Sequence, residues 1–128
     1  MSDAGATVDV FVYGTLVPGG GSYDVVRPWV RGHRSAAVRG HLYDTGRGYP
    51  GARFRDAGED AEVHGVVLTL AEPHAALARL DMFEGHEYER VEVQTSDGAA
   101  VMTYEWCLPT TQLRAVTGGR WVSPKFSA

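Results

Sequence analysis

The sequence predicts an α+β domain in which a small, strongly curved mixed or antiparallel β-barrel or sheet carries one or two helices on its outside. Three observations lead there. At least five stretches alternate, or run apolar, over strand-like lengths. One stretch, 73–84, has helical spacing, opens on Pro73 and stops at Gly85. Finally, Ser96-Asp97-Gly98 separates two alternating stretches as a hairpin turn does, so the strands around it run antiparallel.

The first element, Val10-Phe11-Val12-Tyr13-Gly14-Thr15-Leu16, organises the rest. Val10 and Val12 point to one face and Phe11 and Tyr13 to the other, so neither face is built for solvent and the strand is central. Gly14 allows a backbone conformation that other residues avoid, and Pro18 and Gly19-Gly20-Gly21 follow. Such a turn is able to aim several main-chain N–H groups at one point, a common way to hold a carboxylate or an oxyanion. Read plainly, it is a strand end before a loose loop. Ser22 is a candidate N-cap for a short helix through Arg27 that Pro28 stops or kinks.

Residues 36–43 read as a strand, with Ala36, Val38 and Leu42 on one face and Arg39, His41 and Tyr43 on the other. Asp44 to Gly51 is a loop, 53–55 a short extended piece and 58–60 a turn. Residues 61–70 form a longer apolar strand in which Gly65 marks a bulge or a close backbone approach. After the 73–84 helix come a strand from Tyr88 to Thr95 and its partner from Ala99 to Leu108, where Ala100, Met102, Tyr104 and Trp106 share a face. From Pro109 onward no clear period exists, and 116–121 reads as a packed loop.

Length and composition set bounds. The 128 residues suit one domain, 1–128, large enough to bury a core without staples. A net charge of −4 argues against a nucleic-acid footprint, and no apolar run reaches the roughly 18 residues of a membrane span. Cys107 is the one cysteine, so no internal disulfide forms, and with no signal-like N-terminus a cytoplasmic setting is expected. Eleven of the twelve basic residues are arginine, and the sole lysine, Lys125, stands near the end, which disfavours a lysine phosphate loop or Schiff base. The glycines after Gly14 do not lead into Gly-Lys-Ser/Thr, and no G-x-S-x-G occurs.

Glu84 is the most informative single residue. Leu77 and Leu80 mark the core-facing stripe of the helix, and at about 100° per residue Glu84 returns to within about 20° of Leu77. The chain therefore sets a carboxylate on the buried side, in the last turn, where the helix dipole disfavours negative charge. Both effects raise its pKa and suit an acid that accepts and returns a proton near neutral pH. The alternative is a frayed helix end that turns Glu84 to solvent. Asp81, at the edge of the stripe, reads first as a capping or salt-bridge residue; Glu87 and Glu89 look solvated. The five histidines show no HExxH or paired metal-ligand spacing, so zinc is not expected. Cys107 reads as a packed thiol. Tyr13, Tyr49, Tyr88 and Tyr104 offer phenols to a pocket or pack in the core.

Taken together, the chain resembles the γ-glutamylcyclotransferase-like family, which includes AIG2-like proteins and γ-glutamylamine cyclotransferases. The resemblance rests on Tyr13-Gly14-Thr15-Leu16, Gly40-His41-Leu42-Tyr43-Asp44, Tyr49-Pro50-Gly51, Gly65, Leu80-Asp81-Met82-Phe83-Glu84-Gly85, Tyr88-Glu89-Arg90 and Tyr104, across about residues 8–108. It implies a small barrel with a pocket at one end. Main-chain donors of the Tyr13–Leu16 turn would hold substrate there, Glu84 would act as acid and base, and Tyr49, Tyr88 and Tyr104 would line the site. The implied reaction releases 5-oxoproline and a free amine or amino acid from a small γ-glutamyl amide by intramolecular aminolysis, and it needs no metal or cofactor because the five-membered ring closure brings nucleophile and carbonyl together. A binding protein that holds a small acidic metabolite in the same pocket, without turnover, is the rival reading. The sequence leaves the oligomeric state open.

Overall fold

The computed structural model describes residues 5–54 and 61–122. Its centre is β1 (Thr7–Val12), the middle strand of a five-stranded sheet. On one side β1 pairs antiparallel with β5 (Glu62–Ala71), from Thr7 opposite Ala71 to Val12 opposite Val66; β2 (Val30–Arg39) continues the sheet beyond β5. On the other side it runs parallel to β7 (Ala100–Trp106), and β6 (Tyr88–Gln94) closes that edge as β7's hairpin partner. A second, three-stranded sheet sets β3 (His41–Asp44) between β4 (Pro50–Arg53) and β8 (Arg114–Ala115).

Both faces of β1 are buried, as the Val10/Val12 and Phe11/Tyr13 alternation requires. Val10 and Val12 pack with Leu68, Leu70 and, from α1 (Pro73–Glu84), the single α-helix among the described residues, Ala76 and Leu80. Phe11 and Tyr13 pack on the opposite side with Val38, Leu42, Ala52 and Val101, between the two sheets. The mixed, curved sheet is present, but its hydrogen bonds do not run round a closed barrel. The edges meet at one bridge, Val38 with Thr95, reinforced by the Ser96 N–H donating to the Ala37 carbonyl at 2.8 Å.

Several local expectations change. The 36–43 strand begins at Val30 and breaks at Gly40, where the chain leaves one sheet for the other. A Cβ on Gly40 would lie 2.6 Å from the Arg53 carbonyl oxygen, so the crossing is too close for a side chain. Residues 22–27 form no α-helix. Two 3-10 turns, Tyr23–Val25 and Arg27–Trp29, stand there, Ser22 makes no side-chain cap bond, and Pro28 sits inside the second turn. Pro50 and Gly51 belong to β4 rather than to the loop before it, and the tail contributes β8 and a 3-10 turn at Thr117–Gly119. The expected turn at 58–60 and Arg55 lie outside the described residues.

Like Gly40, Gly14 and Gly65 matter for reasons of space. Gly14 is absent from the positive-φ glycines of the described chain; instead, a Cβ on it would lie 2.8 Å from two ring carbons of Pro50. Gly65 sits in unbroken register, and a Cβ there would approach the Val12 carbonyl oxygen to 2.2 Å. Close approach, not a bulge, explains it. α1 itself follows its signals: Pro73 opens it, and Gly85, at a φ of 69°, ends it.

Candidate functional site

The end of β1, the end of α1 and the start of β4 converge on one cavity of about 410 Å³, within the usual size range for a small-molecule site. Each element arrives for its own reason. β1 runs out at Gly14, which must be glycine because Pro50 lies against it, and residues 14–17 turn, the Val17 N–H reaching the Gly14 carbonyl at 3.4 Å. The glycine run folds back on that turn. A Cβ on Gly20 would lie 2.4 Å from the Thr15 carbonyl oxygen, and the Ser22 N–H donates to that oxygen at 2.9 Å. Among the described residues, the N–H groups of Gly14, Thr15 and Leu16 find no protein acceptor. All three residues line the cavity.

Glu84 follows Ala76 and Leu80 on the buried stripe of α1 at four-residue spacing, so the helix carries it onto the same cavity. Burial raises its pKa from the ordinary 4.5 to about 7, with no opposing cation among the causes. The frayed alternative does not occur; α1 remains helical through Glu84.

The four tyrosines wall the cavity with their hydroxyls already donating. Tyr13 donates to the Tyr104 carbonyl at 2.6 Å and accepts the Ala52 N–H at 3.2 Å. Tyr104 donates to Asp81 Oδ1 at 2.6 Å, Tyr88 to the Pro50 carbonyl at 2.6 Å, and Tyr49 to Glu87 Oε1 at 2.9 Å. Burial is the leading cause that pushes all four phenols up, so each stays neutral. To a ligand they present ring faces and lone pairs, not free donors. Asp81 takes the salt-bridge role expected of it, with Arg90 Nη1 at 3.6 Å, and in addition anchors Tyr104.

The structure thus brings Tyr13, Gly14, Thr15, Leu16, Tyr49, Glu84, Tyr88 and Tyr104 round one space. Beyond these it adds two polar side chains. Ser22 contributes a wall through the folded-back glycine run. Glu87, expected in solvent, lines the cavity in a 3-10 turn (Gly85–Glu87) and pairs with Arg47 as well as Tyr49. No helical period extends past Gly85, so only the tertiary pairing with 47–49 reveals it. Cys107 is exposed rather than packed, with its Sγ 3.6 Å from the His86 carbonyl oxygen. Among the described residues no group of three His, Cys, Asp or Glu side chains is placed to hold a metal, and no helix is long and apolar enough to cross a membrane.

The cavity thus combines, among its lining residues, a carboxylate with a neutral-range pKa and a turn whose N–H groups are unpaired, within the size range of a small-molecule site. Residues 10–123 match the family described as Gamma-glutamyl cyclotransferase, AIG2-like, and the chain belongs to that family. Among solved structures it is similar to c4763 of uropathogenic E. coli, with 23% identity, a TM-score of 0.73 and coverage of 91% of this chain and 93% of that one. It is also similar to At5g39720.1 of Arabidopsis thaliana, with 34% identity, a TM-score of 0.60 and coverage of 83% and 73%. YkqA of Bacillus subtilis shares the fold at a TM-score of 0.72 and 21% identity over 90% of this chain, which spans 39% of the YkqA chain. No curated protein matches significantly.

Proposed function

We propose that the protein converts a γ-glutamyl amide to 5-oxoproline and a free amine by intramolecular aminolysis. One observation carries this reading: a half-buried carboxylate whose pKa is raised by burial to about 7 shares a cavity with a turn of unpaired main-chain donors. Family membership supports a cyclotransferase-type reaction. In the proposed step the glutamyl end lies against residues 13–16, whose N–H groups hold the α-carboxylate or the developing oxyanion. Glu84 takes a proton from the α-ammonium, and the freed nitrogen attacks the γ-carbonyl carbon of the same molecule. As the C–N bond to the departing amine breaks, Glu84 returns that proton to the departing nitrogen; the second proton, shed by the ring nitrogen as it becomes the lactam N–H, passes to the same amine, which leaves as an ammonium. The five-membered ring closure brings nucleophile and carbonyl together, so the site's tasks are to hold the folded conformer and to move protons.

Purified protein incubated with a panel of γ-glutamyl amino acids and amines, with 5-oxoproline assayed, tests the reading. The expected kcat/KM rises with pH through about 7 as Glu84 ionises. Glu84→Gln is expected to lower it by about 10²- to 10⁴-fold, the usual worth of a general acid–base group. Turnover that survives the substitution removes Glu84 from the mechanism; binding of the panel without any product favours a non-catalytic pocket.

A further inference from the structure

The last turn of α1 carries Glu84 without an apolar anchor of its own. Leu80 is the final buried residue of the helix, and Met82 and Phe83 after it are exposed. The closing carbonyls of a helix have no partner within it, so an unanchored end frays. Here the Gly85 N–H returns to the Asp81 carbonyl, which closes the turn on itself but does not fasten it to the sheet.

The Asp81 side chain supplies that fastening. Arg90 and Tyr104 stand opposite each other across β6 and β7, so their side chains leave the sheet on one face as neighbours. The Asp81 carboxylate spans the two: Oδ1 accepts the Tyr104 hydroxyl at 2.6 Å, and Oδ2 lies 3.6 Å from Arg90 Nη1. The ion pair is partly exposed and worth little, so the short, charge-assisted hydrogen bond is the stronger tie. Tyr104 has a second link. Its carbonyl accepts the Tyr13 hydroxyl at 2.6 Å, one residue before the 14–16 turn, so one residue of β7 gives both halves of the site a common footing. Past Glu84, the Glu87 carbonyl accepts the Cys107 N–H at 2.9 Å, and the acid therefore lies between two ties to the end of β7. Asp81 itself does not line the cavity.

Resting on the cyclotransferase reading for its part in turnover, we infer that Asp81 is a positioning residue: its grip on Tyr104 fixes the last turn of α1 so that the Glu84 carboxyl stays on the cavity. A carboxyl that swings away leaves the main-chain donors of residues 14–16 where they are. Loss of the Asp81 tie therefore costs proton transfer and spares binding. A misplacement of about 1 Å in a reacting group is worth up to about 10²-fold in rate.

The test compares Asp81→Ala, which removes the acceptor, with Asp81→Asn, which removes the charge but keeps an oxygen for Tyr104. With a γ-glutamyl amide that the parent turns over, Asp81→Ala is expected to lower kcat about 10- to 100-fold and to leave KM within about twofold. Asp81→Asn is expected to recover most of that loss. Tyr104→Phe breaks the same bond from its other end, so combining it with Asp81→Ala is expected to lower kcat no further than Asp81→Ala alone. The matching glutaryl amide lacks the attacking nitrogen and cannot cyclise, and its binding by calorimetry is expected to be the same in all of them. An unchanged kcat in Asp81→Ala, a loss in Asp81→Asn just as deep, or a parallel loss of glutaryl-amide binding overturns the assignment. Carbon-13 NMR titration of the Glu84 carboxyl needs no substrate. Its midpoint is expected at about 7 in the parent and in Asp81→Asn, and to fall toward 4.5 in Asp81→Ala as the turn frays into water. The groups that share its cavity, Tyr13, Tyr49, Tyr88, Tyr104 and Glu87, are the same in these three proteins, as is Arg90 beyond Asp81. A midpoint that stays at about 7 in Asp81→Ala, or a fall that Asp81→Asn shares, refutes the tie even if every conjugate turns over. The expected pattern supports it even if none does.

Discussion

Replacing Glu84 with Gln should change how the protein's stability depends on pH, whatever the substrate proves to be. Folding raises the carboxyl's pKa from 4.5 to about 7, so the native state holds a proton that the unfolded chain has released throughout that window. Where the native state binds more protons, stability falls as pH rises. The contribution is intact below about pH 4.5, is lost progressively toward about pH 7, and is gone above it. At about 1.4 kcal/mol per pH unit the loss is at most about 3 kcal/mol, because Glu84 keeps some exposure to the cavity. Glutamine has the same shape and no charge to bury. Urea unfolding of both proteins from pH 4 to pH 8.5 cancels every other titrating group in the difference. With a urea m-value of about 2 kcal/mol/M, the variant's midpoint should stand roughly 1.5 M above the parent's at pH 8, and the gap should close at pH 4. A gap that stays flat across this range, or widens toward acid, refutes a buried, neutral-range Glu84 and with it the proton carrier.

Gly65→Ala forces a Cβ to within 2.2 Å of the Val12 carbonyl, a backbone atom that cannot step aside, so the expected destabilisation is about 3 kcal/mol or more, read as a lowered urea midpoint. Tyr104→Phe removes the hydrogen bond to Asp81 while Arg90 still faces that carboxylate, and the expected loss is about 1.5–3 kcal/mol by the same assay. An unchanged midpoint in Tyr104→Phe would mean that Asp81 does not hold the ring.

Much of the fold was legible because its signals are local or periodic. Val10, Phe11, Val12 and Tyr13 could not have been an edge strand, and β1 is the middle one. Pro73, the Leu77–Leu80–Glu84 spacing and Gly85 bound α1 without tertiary help, although the fully buried residues of the stripe are Ala76 and Leu80. The errors share one cause, contact between distant residues. Gly14 was assigned to a special φ when it answers to Pro50, thirty-six positions away in the chain. Nothing local marks Gly40 as the place where a strand changes sheets, because the reason is the Arg53 carbonyl. Glu87 lies outside any helical period, and its place in the cavity depends on Arg47 and Tyr49.

The position of Glu84 and the centrality of β1 are one arrangement. A strand with two apolar faces needs a cover on each, and α1 is the cover over Val10. Ala76 and Leu80 must therefore lie on the sheet, and a straight helix then delivers the next residue of that stripe, Glu84, over the end of β1. A leucine in that place would extend the core and add stability, whereas the carboxylate costs about 3 kcal/mol once ionised. The turn at 14–16 has the complementary feature, N–H donors that the protein leaves unpaired. Both belong to residues that line the same cavity. In the proposed reaction they would serve as proton acceptor and anion cradle for ring closure, and a carboxylate on a core-facing stripe is the kind of local inconsistency a functional site shows in an otherwise consistent fold.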